Sequence, residues 1–381
     1  MAKQYRYLVL GTGVGKAIAY LLLLLEDTDY VTLTDENMAR ALEVSGRLRT
    51  LTGGTCIPFG YHVDYDPTFL FESHDVVISA LPAKYNARLA ELAIRAGVHF
   101  CELGGVLEIT DQILKLSVPK GRDSLSVIAD CGLMPGLGMM LSQGLIEHLD
   151  KTESVEILVG GLPQRPRPPV FYQRVFSIEG LKHLCYDPAP ILNNYQVVTV
   201  EPFSDHEYLT VPELAGYANE TGEVEVFVTA GAARTPWTFE AQGLKKFRER
   251  TVRWPGFVDF VKAVPPEKFE ETIGPHINIP VDAENPDLVW MRVTAKGTRC
   301  GLAMEASYTL LDRLDERTGF TAMERTTGFP TAVIAHMMAE GSAKTGIHTS
   351  ECCLTAEQFS LFLSDVRNYI PNLEFKSRIL E

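Results

Sequence analysis

"VLGTGVGKAIAYLLLLL", residues 9–25, decides how the chain begins to fold. A short apolar run, three closely spaced glycines and a longer apolar run read as a strand, a tight turn and a helix. That arrangement holds dinucleotide phosphates, but its usual spacing is G-x-G-x-x-G. Here the glycines are Gly11, Gly13 and Gly15, and Lys16 stands where the third is expected. Such a turn needs glycine because the chain must bend sharply and its backbone must approach a pyrophosphate with no Cβ in the way. Gly11 and Gly13 meet those demands, with Thr12 and Val14 between and after them. In a turn one residue short, Gly15 packs the helix on the strand. Lys16 is then an early-helix residue, either solvated or reaching a phosphate.

Further residues support a nucleotide reading. "DYVTLTD" (29–35) reads as a second strand ending at Asp35, twenty residues after Gly15. A carboxylate there accepts hydrogen bonds from the adenosine ribose hydroxyls and repels a 2′-phosphate, which predicts NAD over NADP. Glu36 follows, and the next basic residue is Arg40. "HDVVISALP" (74–82) is a buried strand that brings Ala80, Leu81 and Pro82 to the carboxyl edge of a sheet, where ligands bind in open α/β folds. "CELGG" (101–105) ends another strand, and Gly104 marks a close approach of backbone to the cofactor.

Up to about residue 130, short β-type runs alternate with helical stretches, which predicts α/β structure: a Rossmann-type parallel sheet. From about residue 152 strands follow one another without regular helices between them, which predicts a second, α+β domain with an open mixed sheet. The expected division is an NAD-binding domain over 1–150 with a C-terminal return over 328–381, and a substrate and oligomerisation domain over 151–327. "FPTAVIAHMMAEG" (329–341) reads as a late helix opening at its proline. "GLKKFRERTVR" (243–253) reads as a solvated basic face.

Composition narrows the class. The chain has 381 residues, 46% hydrophobic and 22% charged, with a formal net charge of −14. These are values for a globular protein with ample core, and they argue against nucleic acid or an anionic membrane as partner. Seven cysteines at irregular spacing, with no C-x-x-C pair and no zinc-spaced His/Cys cluster, predict a reduced cytoplasmic setting and no metal. The run Ile18–Leu25 is too short to span a bilayer.

Oxidation by a nicotinamide needs a proton acceptor and groups that orient the substrate. Asp130, at a strand end before "CGLMPG", is a candidate for binding an ammonium or taking its proton, and equally for capping the turn. Lys84 is a candidate base if burial lowers its pKa. Tyr172, after a proline-rich loop, is a third catalytic candidate. On the substrate side, Arg234 after "TAGAA" can clamp a carboxylate bidentately, Glu102 stands at a strand end, and Thr326 precedes the late helix with hydroxyl and N–H groups to offer. His336 lies on an apolar helix and reads as a core residue.

Several stretches resemble the saccharopine dehydrogenase-like family: "DVVISALPAKYNARLAELAIRAGVHFCELGG" (75–105), "DCGLMPGLG" (130–138), "GGLP" (160–163) and "LLDRLDERTGFTAMERTTGFP" (310–330). The last two, with "RTVRWPG" (250–256), look most like the lysine 6-dehydrogenase branch. The resemblance implies NAD-dependent oxidative deamination of L-lysine at its ε-carbon, in a homodimer or larger homo-oligomer. The alternatives are a saccharopine or carboxyalkyl-amine dehydrogenase and a non-catalytic nucleotide-binding scaffold. Three departures bear on the choice, and one of them, "EVEVFVTAGAARTPWTFEAQG" (223–243), differs from the lysine 6-dehydrogenase pattern. The saccharopine reductases carry a cysteine where this chain has Val159, and their substrate-binding Asn-Arg-Asp stretch has no match in "PELAGYANETGE" (212–223).

Overall fold

The computed structural model describes residues 3–380. The chain forms two compact units, one running to Met140 and including Glu324–Tyr369, the other comprising Leu141–Met323 and the chain from Ile370.

The first unit is built on a parallel sheet. Its strands are β1 (Tyr5–Leu10), β2 (Thr28–Asp35), β3 (Cys56–Gly60), β4 (Val76–Ser79), β5 (His99–Glu102) and β6 (Ser126–Ala129). A seventh, β15 in chain order (Gly346–Thr349), comes from near the chain's end. Their order is β15-β6-β5-β4-β1-β2-β3, so the direction of winding switches between β1 and β4. A switch point opens a crevice at the carboxyl ends of the strands. Tyr7 to Leu10 and Val76 to Ile78 are wholly buried, as expected for parallel strands covered on both faces. The two edge strands β3 and β15 are absent from the sequence expectation. β3 carries Pro58, which suits an edge, and β15 is only four residues long.

Local signals end the helices. The helix Met38–Thr52 is capped by Asn37, whose side chain accepts from the Ala39 N–H at 3.0 Å, and it stops at Gly53 with φ +74°. Asn86–Ala96 packs Leu89 and Ala93 onto Leu8, Val77 and Phe100, and stops at Gly97 with φ +79°.

The second unit holds a mixed sheet. Its strands are β7 (Lys151–Pro163), β8 (Ala189–Asn193), β9 (Gln196–Val200), β10 (Glu207–Thr210), β11 (Glu223–Val228), β12 (Lys246–Arg253), β13 (Asp287–Arg299), β14 (Leu302–Arg313) and β16 (Leu373–Ile379). The order is β10-β11-β12-β7-β13-β14-β16, with β8 and β9 attached beside β12. β12 runs parallel to β7, and the other neighbours are antiparallel.

Three expectations are corrected. The basic stretch at 243–253 is not a solvated face: it forms the interior strand β12, with Glu249, Arg250 and Arg253 buried. The segment after Tyr369 does not return with the helices before it, because β16 pairs with β14 in the second sheet. The late helix does not open at its proline. It spans Ala322–Glu340 with Pro330 inside, and its first turn is capped by Asp287, which accepts from the N–H groups of Ala322 (2.8 Å) and Met323 (3.0 Å). Among the described residues no helix is long and apolar enough to cross a membrane.

Candidate functional site

The glycine turn lies at the carboxyl end of β1. Gly11 has φ +96°, and a Cβ there would come within 3.0 Å of the Ala80 carbonyl oxygen and 3.1 Å of Leu81. Gly15 packs the first helix (Gly15–Leu24) onto the sheet: a Cβ would sit 2.9 Å from Val9 and 3.4 Å from the Ala80 methyl. Gly13 differs from both, because a Cβ there would meet nothing within 4 Å. Its bare face is open, while the other two are bare because protein fills the space.

The helix that follows begins without a side-chain cap and with no acidic residue in its first turn. Uncapped N–H groups at a helix start attract an anion. The residues therefore fit the pyrophosphate of a dinucleotide. Val14 occupies the cap position with helical backbone angles, which is how the shortened turn enters the helix. Lys16 is partly exposed, and its ammonium pairs with Glu324 at 2.7 Å.

Asp35 closes the other side. Its carboxylate accepts the Thr12 hydroxyl and the Asn37 N–H (3.0 Å). The buried Thr12 thus ties the end of β2 to the glycine turn. The Arg40 guanidinium stands 3.9 Å from the same carboxylate, so the next basic residue in the chain is also its neighbour in space. Ala80 continues β4 by donating to Leu10 at 2.9 Å, and Pro82 accepts from the Tyr85 N–H at 3.1 Å. Ala80 and Leu81 are the wall against which Gly11 is pressed.

Next to this turn, a buried polar chain follows the carboxyl ends of β4, β5 and β6. The Ser79 hydroxyl donates to Asn86 (2.7 Å), whose amide donates to Glu102 (2.6 Å). Glu102 also accepts the N–H groups of Gly104 (2.6 Å) and Asp130 (2.8 Å). The Thr110 hydroxyl lies 3.0 and 3.2 Å from the two carboxylate oxygens of Asp130. Burial pushes the Asp130 carboxyl well above the usual range, and the charges of Glu102 and Glu351 push it further the same way. Burial also raises Glu102, against the opposing pull of its three donors. Asp130 holds a left-handed φ of +62°, an uncommon state for a residue with a side chain.

Two expected roles change here. Glu102 has its oxygens committed to internal donors, so it shapes the strand ends rather than presenting itself to a substrate. A Cβ on Gly104 would collide with the Asp130 carboxylate and come within 2.6 Å of Pro135, so the bare side of this glycine makes room for Asp130.

The remaining candidates fall in both units. Lys84 is exposed, with its ammonium 5.1 Å from the centre of the Tyr85 ring, and lacks the burial that a lysine base requires. Thr326 is wholly buried inside the helix Ala322–Glu340, so its N–H is not at a helix start. Tyr172 belongs to the second unit's core, edge-on to Phe257 at 5.5 Å and with the Arg253 guanidinium 4.7 Å from its ring; burial pushes its hydroxyl up to about 12. Those neighbours make it a packing residue. Arg234, in the second unit, is half-buried and lies 5.0 Å from the Trp237 ring. Asn86 and Thr110 are absent from the sequence reading. Each resembles an ordinary helix residue there, and only the fold brings them to Glu102 and Asp130.

Comparison with known proteins gives a consistent picture. The family described as Saccharopine dehydrogenase C-terminal domain matches residues 132–370. The chain is 22% identical over 244 residues to saccharopine dehydrogenase [NADP(+), L-glutamate-forming] of Schizosaccharomyces pombe, covering 61% of this chain and 51% of that one. It is 26% identical over 238 residues to the mitochondrial alpha-aminoadipic semialdehyde synthase of Bos taurus, covering 58% of this chain and 24% of that one. The match thus spans about half the length of the yeast relative and a quarter of the bovine one. Among solved structures, apo saccharopine dehydrogenase (L-Glu forming) from Saccharomyces cerevisiae superposes with a TM-score of 0.74 at 16% identity, covering 99% of this chain and 100% of that one. That likeness shows a shared fold.

Proposed function

Because the chain belongs to the saccharopine dehydrogenase-like family, we propose that it is a nicotinamide-dependent oxidoreductase acting on the carbon–nitrogen bond of an amino acid. The observation that carries this reading is the open face of Gly13 beside an uncapped helix start, with Asp35 fixed across from it by Thr12. A bound nicotinamide dinucleotide supplies the hydride acceptor. The chain's own part is to seat it: Gly11 and Gly15 bring strand, turn and helix close together, and the free N–H groups receive the pyrophosphate. Asp35 receives the adenosine ribose, which favours NAD. Asp130 is the proposed proton acceptor from the substrate ammonium. A carboxyl held above its ordinary pKa by burial can take up and return a proton nearer neutral pH than a solvated one.

The preferred substrate in this reading is L-lysine, oxidised at its ε-carbon. Support comes from Val159, where the saccharopine reductases carry cysteine, and from the missing Asn-Arg-Asp stretch. A second reading, saccharopine-type oxidation or condensation with NADP, is supported by the name of the fission-yeast relative and by Arg40 beside Asp35. NADH formation from L-lysine and NAD alone is expected in the first case. Turnover only with saccharopine, or only with a second amino or carbonyl partner, moves the assignment to the second. Failure to bind either dinucleotide leaves a scaffold. In the same assay Asp35→Ala is expected to relax the preference for NAD over NADP, and unchanged selectivity removes the role given to Asp35.

A further inference from the structure

The amino edge of the first sheet, at the far end of β1 from the glycine turn, gathers a different set of side chains. His336 and Glu340 lie one turn apart on the helix Ala322–Glu340, a spacing that puts both on one face. Asp27 precedes β2. The His336 Nε2 is 3.7 Å from an Asp27 carboxylate oxygen and 3.6 Å from a Glu340 one, and the three potential ligand atoms lie within 4.8 Å of one another. Among the described residues no other group of three such side chains comes together in this way.

The spacing is informative. Direct N–H···O bonds run about 2.7–3.2 Å, so neither carboxylate is hydrogen-bonded to the ring. Nitrogen and oxygen ligands at about 2.0–2.2 Å from a tetrahedral zinc stand roughly 3.3–3.6 Å apart, close to what is found. The ring is also held from behind. Its Nδ1 is 2.9 Å from the Tyr7 hydroxyl, and Tyr5 meets the ring edge-on at 6.0 Å. With Nδ1–H donating to the Tyr7 oxygen, the Nε2 lone pair faces the two carboxylates. This is the outer support that metal-binding histidines use. The His336 ring is mostly buried, Asp27 is partly open and Glu340 is exposed, so an ion can enter from solvent and retain water.

We propose that Asp27, His336 and Glu340 form a binding site for a divalent transition-metal ion of the zinc type, completed by water, which staples the end of the long helix to the start of β2. One imidazole and two carboxylates are a donor set suited to such ions. The site lies roughly 17–20 Å from the glycine turn, the length of the strand between them, so its role is to hold structure and not to touch a nucleotide.

The test is titration of the chelator-treated full chain with Co²⁺, followed by visible absorption, and with Zn²⁺, followed by thermal unfolding. One equivalent of tetrahedral Co²⁺ absorption is expected, together with a melting temperature that rises with Zn²⁺. Glu340→Gln, at an exposed position, and His336→Gln should each weaken binding at least tenfold. Asp64→Asn, at the exposed His62–Asp64 pair, should leave binding unchanged. Absence of saturable binding overturns the proposal. So does equal binding by the wild type and Glu340→Gln, or a Glu340→Gln effect on stability that does not depend on metal.

Discussion

Glu102 and Glu249 are both carboxylates sealed inside a sheet, one in each unit, and they are held by different kinds of donor. Glu102 accepts two backbone N–H groups and the Asn86 amide, groups that can only donate. Glu249, on β12, meets two hydroxyls: Thr229 at 2.9 Å and Thr251 at 3.3 Å, themselves 2.9 Å apart. A hydroxyl can donate or accept, so the protonated form of Glu249 also finds partners. Burial pushes Glu249 up to about 7. The first carboxylate organises backbone at the ends of β5 and β6. The second is a titrating group in the middle of a β-sheet, against which Gly231 packs with no room to spare.

The largest expected effect comes from removing the first. Glu102→Ala leaves two buried donors and one part-buried donor without an acceptor and should cost about 4 kcal/mol of stability, read by chemical denaturation. A loss under about 1 kcal/mol would mean that these donors find other partners, and the contrast with Glu249 would collapse.

The second effect has a sign that depends on pH. The folded-state pKa of Glu249, about 7, lies above its ordinary 4.5, so the folded protein binds this proton more tightly than the unfolded chain. Its stabilising contribution is complete below about pH 4.5 and is lost as pH rises through about 7. Glu249→Gln should therefore gain on the wild type between pH 5 and pH 8, by up to about 3 kcal/mol. Denaturation curves at the two pH values measure this, and a difference that does not change with pH would sink the idea.

The smallest effects on stability are at the glycine turn, where they separate packing from ligand. Gly15→Ala forces a methyl against Val9 and should cost about 1–3 kcal/mol. Gly13→Ala meets no protein atom, so its melting temperature should stay within a degree or two while dinucleotide affinity falls at least tenfold. Equal behaviour of the two variants in both assays would show that the turn serves packing alone.

The first unit was far more legible than the second. Its central strands are continuous apolar runs and its helices carry their stop signals at Gly53 and Gly97, all local features. Even the shortened turn could be read, because Gly15 acts on Val9 within the same short segment. The sequence of β12 reads as a solvated face because its charges are matched from far along the chain. Arg250 pairs with Glu156 (3.0 Å) and Glu207, Arg248 reaches Glu156 (2.6 Å) and Asp205 (2.9 Å), and Arg253 covers Tyr172. The start of the helix Ala322–Glu340 is hidden in the sequence for the same reason: its cap, Asp287, belongs to β13.

By itself the sequence determined the strand, turn and helix at residues 9–25, the acidic end of β2 and the parallel order of the units that follow, since periodicity and glycine placement act between neighbours. Only the tertiary structure decided which polar groups meet: Asn86 and Thr110 with the buried carboxylates, Arg40 with Asp35, and His336 with Asp27. The physical reason is that a buried charge is tolerated only with partners, and those partners are supplied by segments that folding, not chain order, brings side by side.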